Sequence, residues 1–331
     1  MSATPTTTPV THDIDVLTIC QLLRPAEEKW IGDHYRLTRA DKDAVPDDIA
    51  ARARALITSG LDGAPASLIA RMPKLEIITV NSVGYDLVDM PAALARGIPV
   101  THTPNVLTDD VADLAIGLMI MTSRRLGVAD RFVRAGRWTN EKFPVAGKVS
   151  GKRLGILGLG RIGRAIATRA EGFGMDILYT DRIKLDAPYH FLPDLVSLAR
   201  ESDFLMVATS AGPDARHMVN AEVLAALGPE GILINIARGS VVDEAALIAA
   251  LDSGAIAGAG LDVFEHEPHV PPVLFGRDDV VLLPHIASST RETRADMGRL
   301  VIANLEAWFA GRKLMTPTPE SADMLTQKLR A

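Results

Sequence analysis

Three glycines, Gly158, Gly160 and Gly163, stand in the order G-x-G-x-x-G behind the apolar run Leu154-Gly155-Ile156-Leu157 and ahead of a segment with helical apolar spacing. A strand that turns on glycine straight into a helix opens a βαβ unit, and it commits the chain around it to a parallel sheet with helical crossovers. Gly158 permits the tight turn, Gly160 lets the backbone approach a pyrophosphate, and Gly163 lets helix and strand pack closely. The N–H groups around Leu159, Arg161 and Ile162, with the positive end of the helix dipole, then face the phosphates.

An acidic residue at the end of the next strand completes this dinucleotide fingerprint. Asp181 follows Ile177-Leu178-Tyr179-Thr180 and occupies that place. Its carboxylate accepts ribose hydroxyls and repels a 2′-phosphate, whereas Arg182 beside it pairs with such a phosphate or stacks on adenine. The balance is placed on NADH through Asp181, and NADPH through Arg182 stays open.

Apolar runs alternate with helical patterns along most of the chain. Strands are predicted at Val16–Cys20, Ala55–Thr58, Glu76–Val80 and Val100–Thr103, then at Arg153–Leu157, Asp176–Thr180, Phe204–Thr209, Ile232–Ile236, Ala257–Val263 and Val280–Leu283. The last six suit one doubly wound sheet. A long helix over Asp109–Arg124, with Thr108 as N-cap, precedes that series, and a helix from about Thr290 to Phe309 follows it. That last helix returns to the first domain if the first domain is discontinuous. The expected division is 12–104 plus 288–331 against 105–287, with an arm over 108–150.

A chain of 331 residues with 47% hydrophobic and 23% charged residues is long enough for two such cores. A net charge of −6 without any dense basic run makes nucleic acid and anionic membranes poor partners. No 18-residue apolar run is present, residues 1–11 do not read as a signal peptide, and Cys20 is the single cysteine. A reducing, cytoplasmic setting follows, with Cys20 as a buried core residue. The ends, 1–11 and from Thr318 on, are read as poorly ordered.

Three polar side chains sit just after successive strands, where an open α/β sheet places its ligand crevice: Arg238, Glu267 and His285. Reducing a ketone with hydride leaves an alkoxide that needs a proton. A histidine near neutrality gives it, a carboxylate on the imidazole orients it, and an arginine grips a carboxylate or polarises the keto oxygen.

The segments Asn235-Ile-Ala-Arg-Gly-Ser-Val-Val-Asp-Glu244, Gly258-Ala-Gly-Leu-Asp-Val-Phe264 through Glu267-Pro268, and Pro284-His-Ile-Ala-Ser-Ser-Thr290 resemble the D-isomer-specific 2-hydroxyacid dehydrogenase family. The resemblance runs from about Ile14 to Pro317. It implies two Rossmann-like domains with a cleft between them, a catalytic Arg238, Glu267 and His285, and Asp262 on the nicotinamide carboxamide. It also implies a homodimer joined through the region of Asp109–Arg124 and the following arm. Thr108, Thr209, Ile236 and Ala237 are assigned to the cofactor as well. In Ser82-Val83-Gly84-Tyr85-Asp86 the family holds the substrate carboxylate on N–H groups at the positions of Val83 and Gly84, and successive N–H groups in a turn do make an anion nest.

Pro104-Asn-Val-Leu-Thr-Asp-Asp-Val-Ala-Asp-Leu-Ala-Ile-Gly117, and Val270-Pro271-Pro272 before Leu274-Phe275-Gly276, are most similar to glyoxylate/hydroxypyruvate and hydroxyphenylpyruvate reductases within the family. Those enzymes mostly prefer NADPH and carry a small polar residue where this chain has Asp181. Ser210 is a second departure, at a position where many relatives have proline.

His266 and His269 lack a ligand quartet, so no metal is expected. His12, His34, His102, His190 and His217 have no evident partner and read as surface or strand-end residues. Trp138 and Phe143 either line a substrate cleft or pack a dimer arm. Two rival readings exist. One is a formate or phosphite dehydrogenase, of which the formate enzymes pair the histidine with Gln against Glu267 here; the other is a corepressor of this fold, which binds peptides.

Overall fold

A computed structural model describes residues 13–328; His12 and the expectations for 1–11 lie outside them. Along the chain come β1 (Asp15–Thr18), α1 (Pro25–His34), β2 (Arg36–Arg39), α2 (Asp47–Arg52), β3 (Ala55–Thr58), α3 (Ala66–Ala70), β4 (Ile77–Val80), α4 (Met90–Ala95) and β5 (Val100–Thr101). Then follow α5 (Thr108–Arg124), α6 (Leu126–Arg134), β6 (Arg153–Leu157), α7 (Arg161–Glu171), β7 (Asp176–Thr180) and β8 (His190–Phe191). The rest are α8 (Leu195–Glu201), β9 (Phe204–Val207), α9 (Ala221–Leu227), β10 (Ile232–Asn235), α10 (Glu244–Ser253), β11 (Gly258–Leu261), β12 (Val280–Leu282), α11 (Arg291–Phe309) and α12 (Pro319–Lys328).

The chain forms two compact units, one up to Leu107 and again from Ser289, the other Thr108–Ser288. In the first, five parallel strands are ordered β2-β1-β3-β4-β5. Both faces of that sheet are covered, which is why its strands are apolar without alternation. Leu17, Leu56, Ile78 and Val80 face Leu68, Ile69 and Ala93 of α3 and α4. Val16, Ile57 and Ile77 face Ile31 of α1 and Val301 and Leu305 of α11.

The sequence gives no sign of β2. Its residues, Arg36-Leu37-Thr38-Arg39, are exposed or half-buried at the sheet edge, so no apolar run marks them. The tail corrects the expectation of disorder from Thr318. Thr318 and Ser321 are fully buried. Val100 donates its N–H to Ser321 Oγ at 2.9 Å, Thr318 donates its own to the Val100 carbonyl at 2.9 Å, and the two hydroxyls bond each other. These side chains are buried by satisfying the backbone of edge strand β5, which hydrophobicity cannot reveal.

In the second unit seven parallel strands are ordered β12-β11-β10-β9-β6-β7-β8. The two-residue edge strand β8 is an addition to the six expected. Leu157, Leu205, Val207, Leu233 and Leu261 pack on α8, α9 and α10, while α5 crosses β10 and β11 beside α7. Thr108 is the first residue of α5 rather than its cap. Several strands stop short of their predicted ends, at Thr18, Thr101, Val207, Asn235 and Leu261; after Thr18, Asn235 and Leu261 buried apolar residues such as Ile19, Ile236 and Val263 continue although the backbone has left the ladder. Among the described residues no helix is long and apolar enough to cross a membrane.

Candidate active site

Strand order reverses between β6 and β9, and a doubly wound sheet opens its crevice at the carboxyl end of that reversal. Gly158 leaves β6 at φ +94, with no room for a side chain because a Cβ would lie 2.7 Å from Thr209 Cα. Gly163 is equally closed, its Cβ position being 2.1 Å from the Gly158 carbonyl oxygen. Gly160 is the opposite case. It N-caps α7 without a side-chain cap bond, and nothing lies within 4 Å of where its Cβ would be. An open cradle over uncapped N–H groups fits the pyrophosphate of a dinucleotide.

Asp181 lies just past β7, beside the exposed Arg182. Ile236 and Ala237 follow β10, where Asn235 pins the turn: its Oδ1 accepts the Ala237 N–H at 3.1 Å and its Nδ2 donates to the Arg238 carbonyl at 3.0 Å. Asn235 is a positioning residue that sequence reasoning passed over; the signal was a buried Asn closing an apolar strand. Arg238 is half-buried and donates from Nη1 to the Ala237 carbonyl at 3.0 Å.

His285 and Glu267 meet. Nδ1 of His285 is 2.7 Å from Glu267 Oε2, and the Phe264 N–H donates to Glu267 Oε1 at 3.0 Å. Since an ionised carboxylate only accepts, Nδ1 carries the hydrogen and Nε2 is left for other chemistry. His285 sits at φ +54, a conformation unusual for a residue with a side chain. Asp262 holds that turn. It is wholly buried, receives the Ile286 and Ala287 N–H groups at 2.8 and 2.9 Å, and bonds the His285 N–H through its carbonyl. Burial pushes the Asp262 carboxyl above its ordinary value although the two N–H groups pull it down.

Arg238, Glu267, His285 and Asp262 thus stand together after β10, β11 and β12, in the unit that also holds the glycine loop, Asp181 and Thr209. Val83 and Gly84 belong to the first unit, just past β4. There Ser82 Oγ donates to the Gly84 carbonyl at 2.5 Å, and His102 Nδ1 donates to the Val83 carbonyl at 3.0 Å.

Residues 116–287 match the model of the D-isomer specific 2-hydroxyacid dehydrogenase NAD binding domain. The chain is also 48% identical over 309 residues to the hydroxyphenylpyruvate reductase of Plectranthus scutellarioides, covering 92% of this chain and 98% of that one. It belongs to the D-isomer-specific 2-hydroxyacid dehydrogenase family. Another relative is glyoxylate/hydroxypyruvate reductase A of Arabidopsis thaliana, 52% identical over 265 residues, 80% of this chain and 85% of that one. Among solved structures, the NADPH-dependent glyoxylate/hydroxypyruvate reductase of Sinorhizobium meliloti with NADP and malonate superposes at a TM-score of 0.88. It is 43% identical and covers 92% of this chain and 97% of its own. As a member of this dehydrogenase family, the chain is an NAD(P)-dependent oxidoreductase built of two Rossmann-like domains.

His190 is exposed at the start of β8, whereas His34, His102 and His217 have partners that the sequence did not show. His34 stacks on Trp30, with ring centroids 3.8 Å apart, His102 holds Val83, and His217 has a carboxylate partner, Glu265. Phe143 meets Phe132 edge-on at 5.4 Å, while Trp138 stands 70% exposed. Among the described residues no group of three or more His, Cys, Asp or Glu is arranged to hold a metal ion.

Proposed function

We propose that the protein reduces a small 2-keto acid of the glyoxylate or hydroxypyruvate type to the D-2-hydroxy acid with NAD(P)H, and runs the reverse reaction. The observation that carries this reading is the 2.7 Å bond between His285 Nδ1 and Glu267 Oε2. The dinucleotide, when bound, supplies the hydride that the carbonyl carbon takes up. His285 gives the proton from Nε2 to the oxygen as C=O becomes CH–OH, and Glu267 supports the imidazolium before transfer. Arg238 grips the substrate carboxylate and polarises the keto oxygen. The Val83 and Gly84 N–H groups of the first unit are assigned to substrate binding, on the chemistry of successive N–H groups in a turn. The phosphates are assigned to the loop from Gly158 to Gly163, Arg161 and Ile162 included; the Leu159 N–H, expected to face them, is instead taken by Asp181 Oδ2 at 2.9 Å, so Leu159 lines the loop without donating to them. Thr108, Thr209, Ile236, Ala237 and Asp262 are assigned to the rest of the cofactor.

NADH is taken as the favoured coenzyme, because Asp181 just past β7 puts a carboxylate at the end of the second strand of the fingerprint, where an acidic residue accepts ribose hydroxyls and repels a 2′-phosphate. Purified protein should oxidise NADH or NADPH with glyoxylate or hydroxypyruvate, followed by absorbance at 340 nm; no turnover with any 2-keto acid overturns the reading.

A homodimer is the expected assembly. Leu126, Val133, Trp138 and Val145 expose apolar surface along α6 and the arm after it, Val145 at 99%, and such a strip is suited to a second copy. Sedimentation showing a monomer would remove this part. The working location is placed in the cytoplasm, because the single cysteine is buried and offers no intrachain disulfide.

A further inference from the structure

The loop that presents Glu267 to His285 carries a second histidine–carboxylate pair. Glu265 Oε1 accepts from His217 Nε2 at 2.9 Å and from Arg216 Nη2 at 2.6 Å. Its side chain is 11% exposed, more enclosed than the 21% of Glu267. Burial alone would push the Glu265 carboxyl up, yet the bonds and charges of His217 and Arg216 outweigh it and hold the group below its ordinary value. Both histidines are left-handed, His217 at φ +53 and His285 at φ +54. A buried carboxylate and a side-chain-bearing residue at positive φ are each unfavourable, and they persist where the surroundings enforce them.

What enforces His217 is the turn that carries Arg238. The His217 N–H donates to the Ser240 carbonyl at 2.8 Å. Glu244, which opens α10 just past that turn, turns Oε2 toward the Glu265 N–H at 3.4 Å. Gly239 lies directly against the other loop, since a Cβ there would fall 1.8 Å from the Phe264 carbonyl carbon. The Phe264 N–H in turn holds Glu267. His217 therefore touches both loops at once, one by its backbone and one by its ring.

We propose that His217 and Glu265, with Arg216, form a positioning pair that fixes the turn bearing Arg238 against the loop bearing Glu267, and so sets the geometry of the Arg238, Glu267 and His285 group. The inference rests on the function proposed above for those three residues. Neither His217 nor Glu265 is assigned any contact with substrate or cofactor, so their removal should disturb the chemical step and spare coenzyme binding. A displacement of about 1 Å at a reacting group can cost about a hundredfold in rate.

The test compares His217→Ala, His217→Gln, Glu265→Gln and the double variant His217→Ala/Glu265→Gln with wild type. It reads kcat, KM for the 2-keto acid, NADH dissociation by fluorescence and Tm by circular dichroism. His217→Ala and Glu265→Gln should each lower kcat at least about tenfold with the NADH dissociation constant within about twofold. His217→Gln, whose side-chain amide nitrogen can replace Nε2 as donor, should recover most of the loss. The double variant should lose no more than either single one. Unchanged kcat in His217→Ala, a kcat loss matched by equal losses of NADH affinity and Tm, or additive losses in the double variant would each overturn the pair. A wild type without turnover overturns the functional reading itself, so the two failures are told apart.

Discussion

Asp181 turns its carboxylate back onto the glycine loop: Oδ2 accepts the Leu159 N–H at 2.9 Å, and Oδ1 accepts the Arg182 N–H at 2.8 Å. On the proposed preference for NADH, a carboxylate held by two N–H groups repels a 2′-phosphate and keeps lone pairs for ribose hydroxyls. Asp181→Ser should therefore raise kcat/KM for NADPH relative to NADH by about tenfold or more, a tenfold change corresponding to about 1.4 kcal/mol. Initial rates with both coenzymes check it, and an unmoved ratio places coenzyme choice elsewhere.

His285→Ala should lose about 10²–10⁴ in kcat, the range for a positioned proton donor, while NADH still binds. Glu267→Gln should lower kcat, because the carboxylate that orients the imidazole is gone. Arg238→Ala should damage kcat and KM together. Steady-state kinetics with hydroxypyruvate separates the three patterns.

Burial pushes the Cys20 thiol from 9.0 up to about 11. The folded chain thus keeps the proton that the unfolded chain releases. This contribution is complete below pH 9 and lost as pH rises from 9 to 11. Urea titrations across that window should show a steeper fall of stability for wild type than for Cys20→Ala, the difference isolating the thiol from the tyrosines. A thiol reagent at pH 8 should label the protein only after unfolding.

Ser321→Ala leaves the buried Val100 N–H without its acceptor. A loss of about 1–3 kcal/mol is expected, seen as a lower urea midpoint at unchanged slope. A midpoint equal to wild type would mean that water or another oxygen replaces the hydroxyl.

The strands β3, β6 and β7 could be read residue for residue, because sheets covered on both faces produce continuous apolar runs with sharp ends. The edges could not: Arg36-Leu37-Thr38-Arg39 and His190-Phe191 pair on one side only, and their sequences look like loop. The order of Arg238, Glu267 and His285 after three successive strands was visible for the same reason, since neighbouring strands bring their ends together. The Glu265–His217 pair was not, because its members come from different strand ends and meet only through a turn whose backbone conformation no spacing encodes. Likewise the buried hydroxyls of Thr318 and Ser321 look like surface residues until their backbone partners are in place.

The first unit is interrupted, leaving the chain at Leu107 and resuming at Ser289. Synthesis therefore delivers the contiguous Thr108–Ser288 unit whole while the other still lacks α11 and α12, and with them Val301, Leu305 and the cover of β5. The interrupted unit is completed only after the other, and until α11 is made one face of its sheet lacks the helix that shields it. That exposed interval is where a chaperone would have most to hold.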